Sequence, residues 1–88
     1  MENFDDVAVF LLKNGEYLIA KYEELDEEPS CYLTECFKIV DNEHLEVFPK
    51  YSKERDCLLS ASEFMTIFEP SSELIDLYKK YLLDEFLH

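Results

Sequence analysis

Eighty-eight residues fit one domain, because a chain of this length buries only a little over ~60% of the surface that its unfolded form exposes. Apolar residues make up 48% and aromatics 15%, which supplies one core and excludes an intrinsically disordered chain despite 33% charged residues. The net charge of −13 repels polyphosphate at long range and excludes diffuse nucleic-acid binding, so any such ligand has to be held by a local basic patch.

The same acidity keeps a small protein from aggregating. No run approaches the ~18 apolar residues of a membrane span, and an acidic surface is repelled by anionic lipid, so no membrane partner is expected. Three cysteines, Cys31, Cys36 and Cys57, are an odd number with no basic and apolar leader before them, which points to a reducing, cytoplasmic setting. Small domains with surplus aromatic surface gain further burial by oligomerising, so self-association is expected.

In chain order, residues 1–6 form a polar arm carrying three acids. Residues 7–12 are apolar at both alternating sets of positions and read as a strand buried on two sides. Asn14-Gly15 then predicts a two-residue type I′ hairpin, and Gly15 is the sole glycine, placed where positive φ is demanded. Residues 16–25 form the second strand. A helix over residues 17–28 competes on propensity alone, and the hairpin decides against it. The acidic run 23–28 and Pro29 end the pairing.

Residues 30–40 read as the third strand, with Tyr32, Thr34, Cys36 and Lys38 alternating against Cys31, Leu33, Glu35, Phe37 and Ile39. After a turn at Asp41-Asn42-Glu43, residues 45–48 form a short fourth strand that Pro49 stops. Residues 50–56 are a charged loop, residues 57–59 pair briefly, and residues 64–68 (FMTIF) are the fifth strand. Ser71 or Ser72 caps a helix to about residue 87, with Leu74, Leu77, Tyr78, Tyr81 and Leu82 at helical spacing. Ile75, Leu83, Phe86 and Leu87 widen that stripe, so the helix docks either on its own sheet or on a neighbour.

This pattern resembles the Sm-like family over residues 7–68. Leu12-Lys13-Asn14-Gly15 matches the polar-glycine turn of the family's first motif, Asp26 falls at its aspartate, and Leu33 follows in the third strand. The segment TIFEPSSELIDLY, after the barrel rather than before it, resembles the Sm-like proteins of cyanophage and marine metagenomic sequences. The resemblance implies a mainly β fold: a strongly bent, five-stranded antiparallel barrel with a C-terminal helix, closing into a homo-oligomeric ring. It also implies a role in RNA or DNA metabolism, in the cytoplasm of an infected host if phage-encoded. The sequence departs from the family at Ala20, where a mid-strand glycine belongs, at Ser30 in place of asparagine, and at Ser60-Ala61-Ser62 in place of arginine, glycine and a small polar residue.

Those departures bear on function. Asp26, Ser30, Tyr32, Ser60 and Ser62 mark the region of the family's base pocket, and without the arginine clamp it loses uridine specificity. Lys50, Tyr51, Lys53 and Arg55 combine cations with an aromatic, the pairing that single-stranded RNA or DNA uses for phosphate neutralisation and base stacking; a plain solvated loop is the alternative. Ring closure would pair Leu45, Val47 and Phe48 with Phe64, Met65, Ile67 and Phe68 of the next subunit.

No metal or other cofactor is expected. Cys31 and Cys36, five apart on a strand, should face opposite sides, and no ligand pair spacing joins them to Cys57 or His44, so the cysteines read as small buried apolar groups. Glu23, Glu24, Asp26, Glu27 and Glu28 read as solvated charge rather than a cation site. No nucleophile context or phosphate loop accompanies His44 or His88, which argues against an enzyme. Two readings remain: a ring that binds nucleic acid through loop positives, and an acidic ring that binds protein partners instead.

Overall fold

The computed structural model describes residues 7–25, 30–49, 51 and 56–86. Six strands are formed among them: β1 (Val7–Leu12), β2 (Tyr17–Leu25), β3 (Ser30–Ile39), β4 (Leu45–Val47), β5 (Cys57–Ser60) and β6 (Phe64–Phe68), followed by one helix, α1 (Ser72–Phe86). The fold is mainly β with antiparallel pairing throughout. The expected five strands become six because β3 is long enough to serve two partners on one edge. Its C-terminal half pairs with β4 and its N-terminal half with β5, while its other edge pairs with β2.

Chain connectivity forces this sheet to curl. β5 lies outside β3 and β6 outside β1, in the order β5-β3-β2-β1-β6, so a flat sheet would hold β5 and β6 ~19 Å apart at ~4.8 Å per strand. The four peptide steps from Ser60 to Phe64 reach at most ~14 Å, and much of that link is a 3₁₀ turn, Ala61–Glu63, which advances only ~2 Å per residue. The sheet nevertheless does not close: no ladder joins β5 to β6 among the described residues. The expected closed barrel is therefore an open, curled sheet.

The curl has two apolar faces. The concave face gathers Ala8, Phe10, Leu12, Leu18, Ala20, Cys31, Leu33 and Cys36, with Tyr22, Phe48, Cys57, Leu59 and Phe64 packed against them. Phe10 is its centre, 5.1 Å from the Phe64 ring and 5.6 Å, edge to face, from Tyr22. The convex face holds Val7, Val9, Ile19, Phe37 and Leu45 under Tyr78 and Leu82 of α1. The helix thus docks on its own sheet. Ser71 caps it, its hydroxyl accepting from Leu74 N–H at 3.2 Å.

The β1–β2 connection corrects the expected turn type. Gly15 N–H donates to Leu12 O and Leu12 N–H to Glu16 O, each at 2.9 Å. Only Gly15, at φ +89°, is left-handed there. This is a three-residue loop, a type I turn closed by a left-handed glycine, rather than the two-residue type I′ turn, which needs positive φ at Asn14 too. Asn14 contributes through its side chain instead, Oδ1 accepting from Glu16 N–H at 2.9 Å.

The bend that a glycine at position 20 would have eased is made on the partner strand. Ile19 pairs with Phe37 and Lys21 with Thr34, so Ala20 faces two residues, Glu35 and Cys36. Glu35 takes the bulge at φ +50°. A left-handed non-glycine costs about 1–2 kcal/mol, and two contacts offset it: Tyr78 Oη donates to Glu35 O at 2.8 Å, and Lys21 Nζ lies 3.0 Å from Glu35 Oε2, an ion pair too poorly aligned to count as a hydrogen bond. A tyrosine hydroxyl bond of this kind contributes about 1 kcal/mol, and a half-buried ion pair that makes no hydrogen bond contributes no more than that. The larger gain is packing, since the bulge sends Cys36 to the concave face and Phe37 to the convex one.

The extra residue also inverts side-chain parity along β3. Before it, the odd residues Cys31 and Leu33 point into the concave core; after it, Cys36 does, while Phe37 and Ile39 turn towards α1. The expectation that Cys31 and Cys36 face opposite sides therefore fails, because strict alternation ends at a bulge.

Candidate functional site

The structure brings together most of the predicted pocket residues. Ser30 and Ser60 are directly paired across β3 and β5, and Tyr32 pairs with Leu58. Ser60 caps the 3₁₀ turn: its Oγ accepts from Ser62 N–H at 3.3 Å and lies 3.0 Å from Ser62 Oγ. Tyr32 Oη donates to Asp56 Oδ2 at 2.9 Å. Ser30 is buried and so adds little to any surface site. What remains exposed is a small polar ledge of Ser60, Ser62, Tyr32 and Asp56, which carries a carboxylate and, among the described residues, no cation. It can donate and accept hydrogen bonds, and it disfavours a phosphate. Asp26 lies outside the described residues.

Of the proposed basic patch, Lys50, Lys53 and Arg55 also lie outside the described residues. Tyr51 is almost wholly exposed, at 98%, on a left-handed backbone with φ +67°.

The interface residues divide by where their side chains go. Leu45 is buried under α1, and Phe48 and Phe64 pack into the concave core. Val47, Met65, Ile67 and Phe68 stay exposed, Met65 by 66%. Met65 is the extra residue of a second bulge, since Leu12 pairs with Phe64 and Leu11 with Thr66. Phe68 meets the exposed Tyr17 ring edge to face at 6.4 Å. Leu58 on β5 is 58% exposed and extends the apolar margin on the opposite side of the sheet. β6 has a strand neighbour on one side only, as do β4 and β5, so each margin combines apolar side chains with backbone groups able to accept another strand. Residues 57–59 pair as expected from the sequence, and it is β5's place on the outer edge of β3 that puts Leu58 at the margin.

A further surface feature was not legible in the sequence. An open groove of about 660 Å³ runs between α1 and the β3–β4 turn, bordered by Glu43, Glu73, Asp76, Lys80, Tyr81 and Asp84. In that turn Asp41 Oδ1 accepts from Glu43 N–H at 2.8 Å, and His44 Nδ1 lies 2.8 Å from Asp41 Oδ1. The amide bond from Glu43, and then His44, hold the Asp41 carboxyl below its ordinary value. These acids come from segments some thirty residues apart, so only the fold assembles them.

Among the described residues no group of three or more His, Cys, Asp or Glu side chains is placed to hold a metal ion, and no helix is long and apolar enough to cross a membrane. No curated protein matches the chain. A family model matches residues 5–83, and the chain accordingly belongs to that group, described as a family of unknown function (DUF6561).

Proposed function

We propose that the chain is a self-assembling β module of the Sm-like kind, in which β6 of one subunit pairs with the β4–β5 margin of the next to close a homo-oligomeric ring, and that the acidic ring serves as an adaptor for protein partners. The observation that carries this reading is the pair of apolar sheet margins, Met65, Ile67 and Phe68 on one side and Val47 and Leu58 on the other. Exposed apolar edge strands are an aggregation hazard unless a partner strand covers them, and two margins on one subunit covered head to tail form a closed ring or an open fibre. The net charge of −13 and the carboxylate on the polar ledge favour protein over nucleic acid as the ring's ligand.

Light scattering tests the assembly. At micromolar concentration the mass should be a multiple of the 10.5 kDa subunit, and Ile67→Lys or Leu58→Lys, each placing a charge on a margin, should return it to one subunit with unchanged far-ultraviolet dichroism. A wild-type monomer would sink the proposal.

Nucleic acid is the second reading, favoured by one observation, the full exposure of Tyr51 between Lys50 and Lys53 in the sequence. A ring would repeat that loop several-fold. Titration with short RNA and DNA oligonucleotides at low salt separates the two: salt-sensitive binding abolished by joint replacement of Lys50, Lys53 and Arg55 with alanine supports this reading, and no binding leaves the adaptor.

A further inference from the structure

The bulge at Glu35 has a chemical result that strand alternation conceals. None of the three cysteines is in a disulfide, and all three lie on the concave face. Cys57 opens β5 and pairs with Leu33, and the bulge just beyond Leu33 brings Cys36 onto the same face. Cys36 and Cys57 pack into the same concave core cluster, and a hydrogen bond from the Cys36 thiol bears on the Cys57 sulfur. Their exposures differ in a way that assigns roles, because Cys36 is fully buried while Cys57 is part-exposed on an outer strand. Cys31 shares the face but is buried and pairs with Leu59, two residues along β5.

A thiol that solvent reaches, beside a second thiol that solvent does not, is the arrangement in which one sulfur attacks an oxidant and the neighbour completes a disulfide. The bond from Cys36 favours the thiolate and holds the Cys57 thiol below its ordinary value, against the opposing effects of burial and of the Asp56 carboxylate.

We propose that Cys57 is a hydroperoxide-reactive modification site and that Cys36 resolves it, forming an intrachain disulfide that ties β5 to β3. The Cys57 thiolate attacks one peroxide oxygen, the O–O bond breaks, and the departing hydroxide or alkoxide takes up a proton, leaving Cys57 as the sulfenic acid. The Cys36 sulfur then attacks the Cys57 sulfur, the S–O bond breaks, and the hydroxyl leaves as water with the Cys36 proton. With hydrogen peroxide the sum is two thiols and one peroxide giving one disulfide and two waters. The two sulfurs are oxidised, the peroxide is reduced, and a dithiol reductant reverses the change. The bond would close a loop holding β4 and the segment 50–55, and would fasten β5 to the strand beneath it. The reaction does not depend on ring formation.

The test uses the full chain and hydrogen peroxide itself. Brief treatment of the reduced protein should lower its intact mass by about 2 Da, the loss of two hydrogens, and peptide mapping should place the bond between Cys36 and Cys57 within one chain. Cys36→Ser should lose the disulfide and leave a Cys57 sulfenic acid that a dimedone probe captures. Cys57→Ser should lose both products, and Cys31→Ser should behave as the wild type. Cys36→Ala is the substitute if serine at that buried position prevents folding, and the wild-type map decides without any variant. A bond that includes Cys31, a bond between chains, or a Cys57 that stays reduced while peroxide oxidises Cys31 would each overturn the proposal.

Discussion

The hairpin turn at Gly15 and the bulge at Glu35 solve the same steric problem by different means. Both hold the backbone at positive φ, +89° and +50°. At Gly15 the residue type supplies the conformation: it has no Cβ, and an added one would meet nothing within 4 Å, so the site is governed by backbone preference alone. At Glu35 the residue type opposes the conformation and the surroundings impose it, through a hydroxyl from a helix 43 residues away and an ion pair to the neighbouring strand. A local signal marks one bend and tertiary contacts make the other.

The strongest way to break this contrast is to remove the clamp from the bulge. Tyr78→Phe keeps the ring packed against Phe37, 5.8 Å away, but strips the hydrogen bond from the Glu35 carbonyl. It is expected to lower stability by about 1–3 kcal/mol, read from the shift in urea midpoint at unchanged slope. An unchanged midpoint would mean that packing alone holds the bulge.

Next in size is Gly15→Ala, which forces a Cβ into the left-handed region and should destabilise by about 1–2 kcal/mol with no steric contribution. Glu35→Gly sharpens the comparison by predicting the opposite sign. It relieves left-handed strain of about 1–2 kcal/mol and gives up the Lys21 pair, worth under ~1 kcal/mol at this exposure, so a small net gain is expected. A loss larger than that of Gly15→Ala would show that the Glu35 side chain, not its backbone, holds the bend.

The smallest effect concerns the Asp41–His44 turn, which like Gly15 is encoded locally. Because the folded state depresses the Asp41 value, its ionised form contributes stability that is fully present above about pH 4 and is lost as pH falls through the lower folded value. Asp41→Asn should flatten that part of the acid-unfolding curve and lower stability at pH 7 by the same small amount, since the carboxylate is exposed and its interactions are screened by solvent.

These positions also explain what could be read in advance. A continuous apolar run exposed β1, the Asn14-Gly15 turn exposed β2, alternation exposed most of β3, and the serine cap with the stripe through Tyr78 and Leu82 exposed α1, because those signals lie within a few residues of one another. The turn type at Asn14-Gly15 was misjudged because both turn types favour the same dipeptide and differ only in the φ of Asn14. The bulge was invisible because nothing near Glu35 favours positive φ, and every assignment that relied on alternation through it, including the separation of Cys31 from Cys36, inherited the error. The different placements of Leu45, buried under α1, and Val47, exposed, were not legible either: a three-residue strand gives little indication of which side meets the helix. The Ser30–Ser60 pairing was reachable only through family resemblance, since thirty residues separate the two.

The link from β5 through the 3₁₀ turn to β6 sets an order of events in time. Leu11 and Tyr17 pair across six residues, whereas Val9 and Phe68 pair across 59. Closing the longer segment costs roughly 2 kcal/mol more in chain entropy, by (3/2)RT ln of the ratio. With that handicap and one strand neighbour instead of two, β6 is the last strand to join the sheet and the first to leave it. Amide hydrogens of β6 should therefore exchange with solvent before those of β2, and the exposed margin of Met65, Ile67 and Phe68 is the part of the fold held least firmly by its own chain.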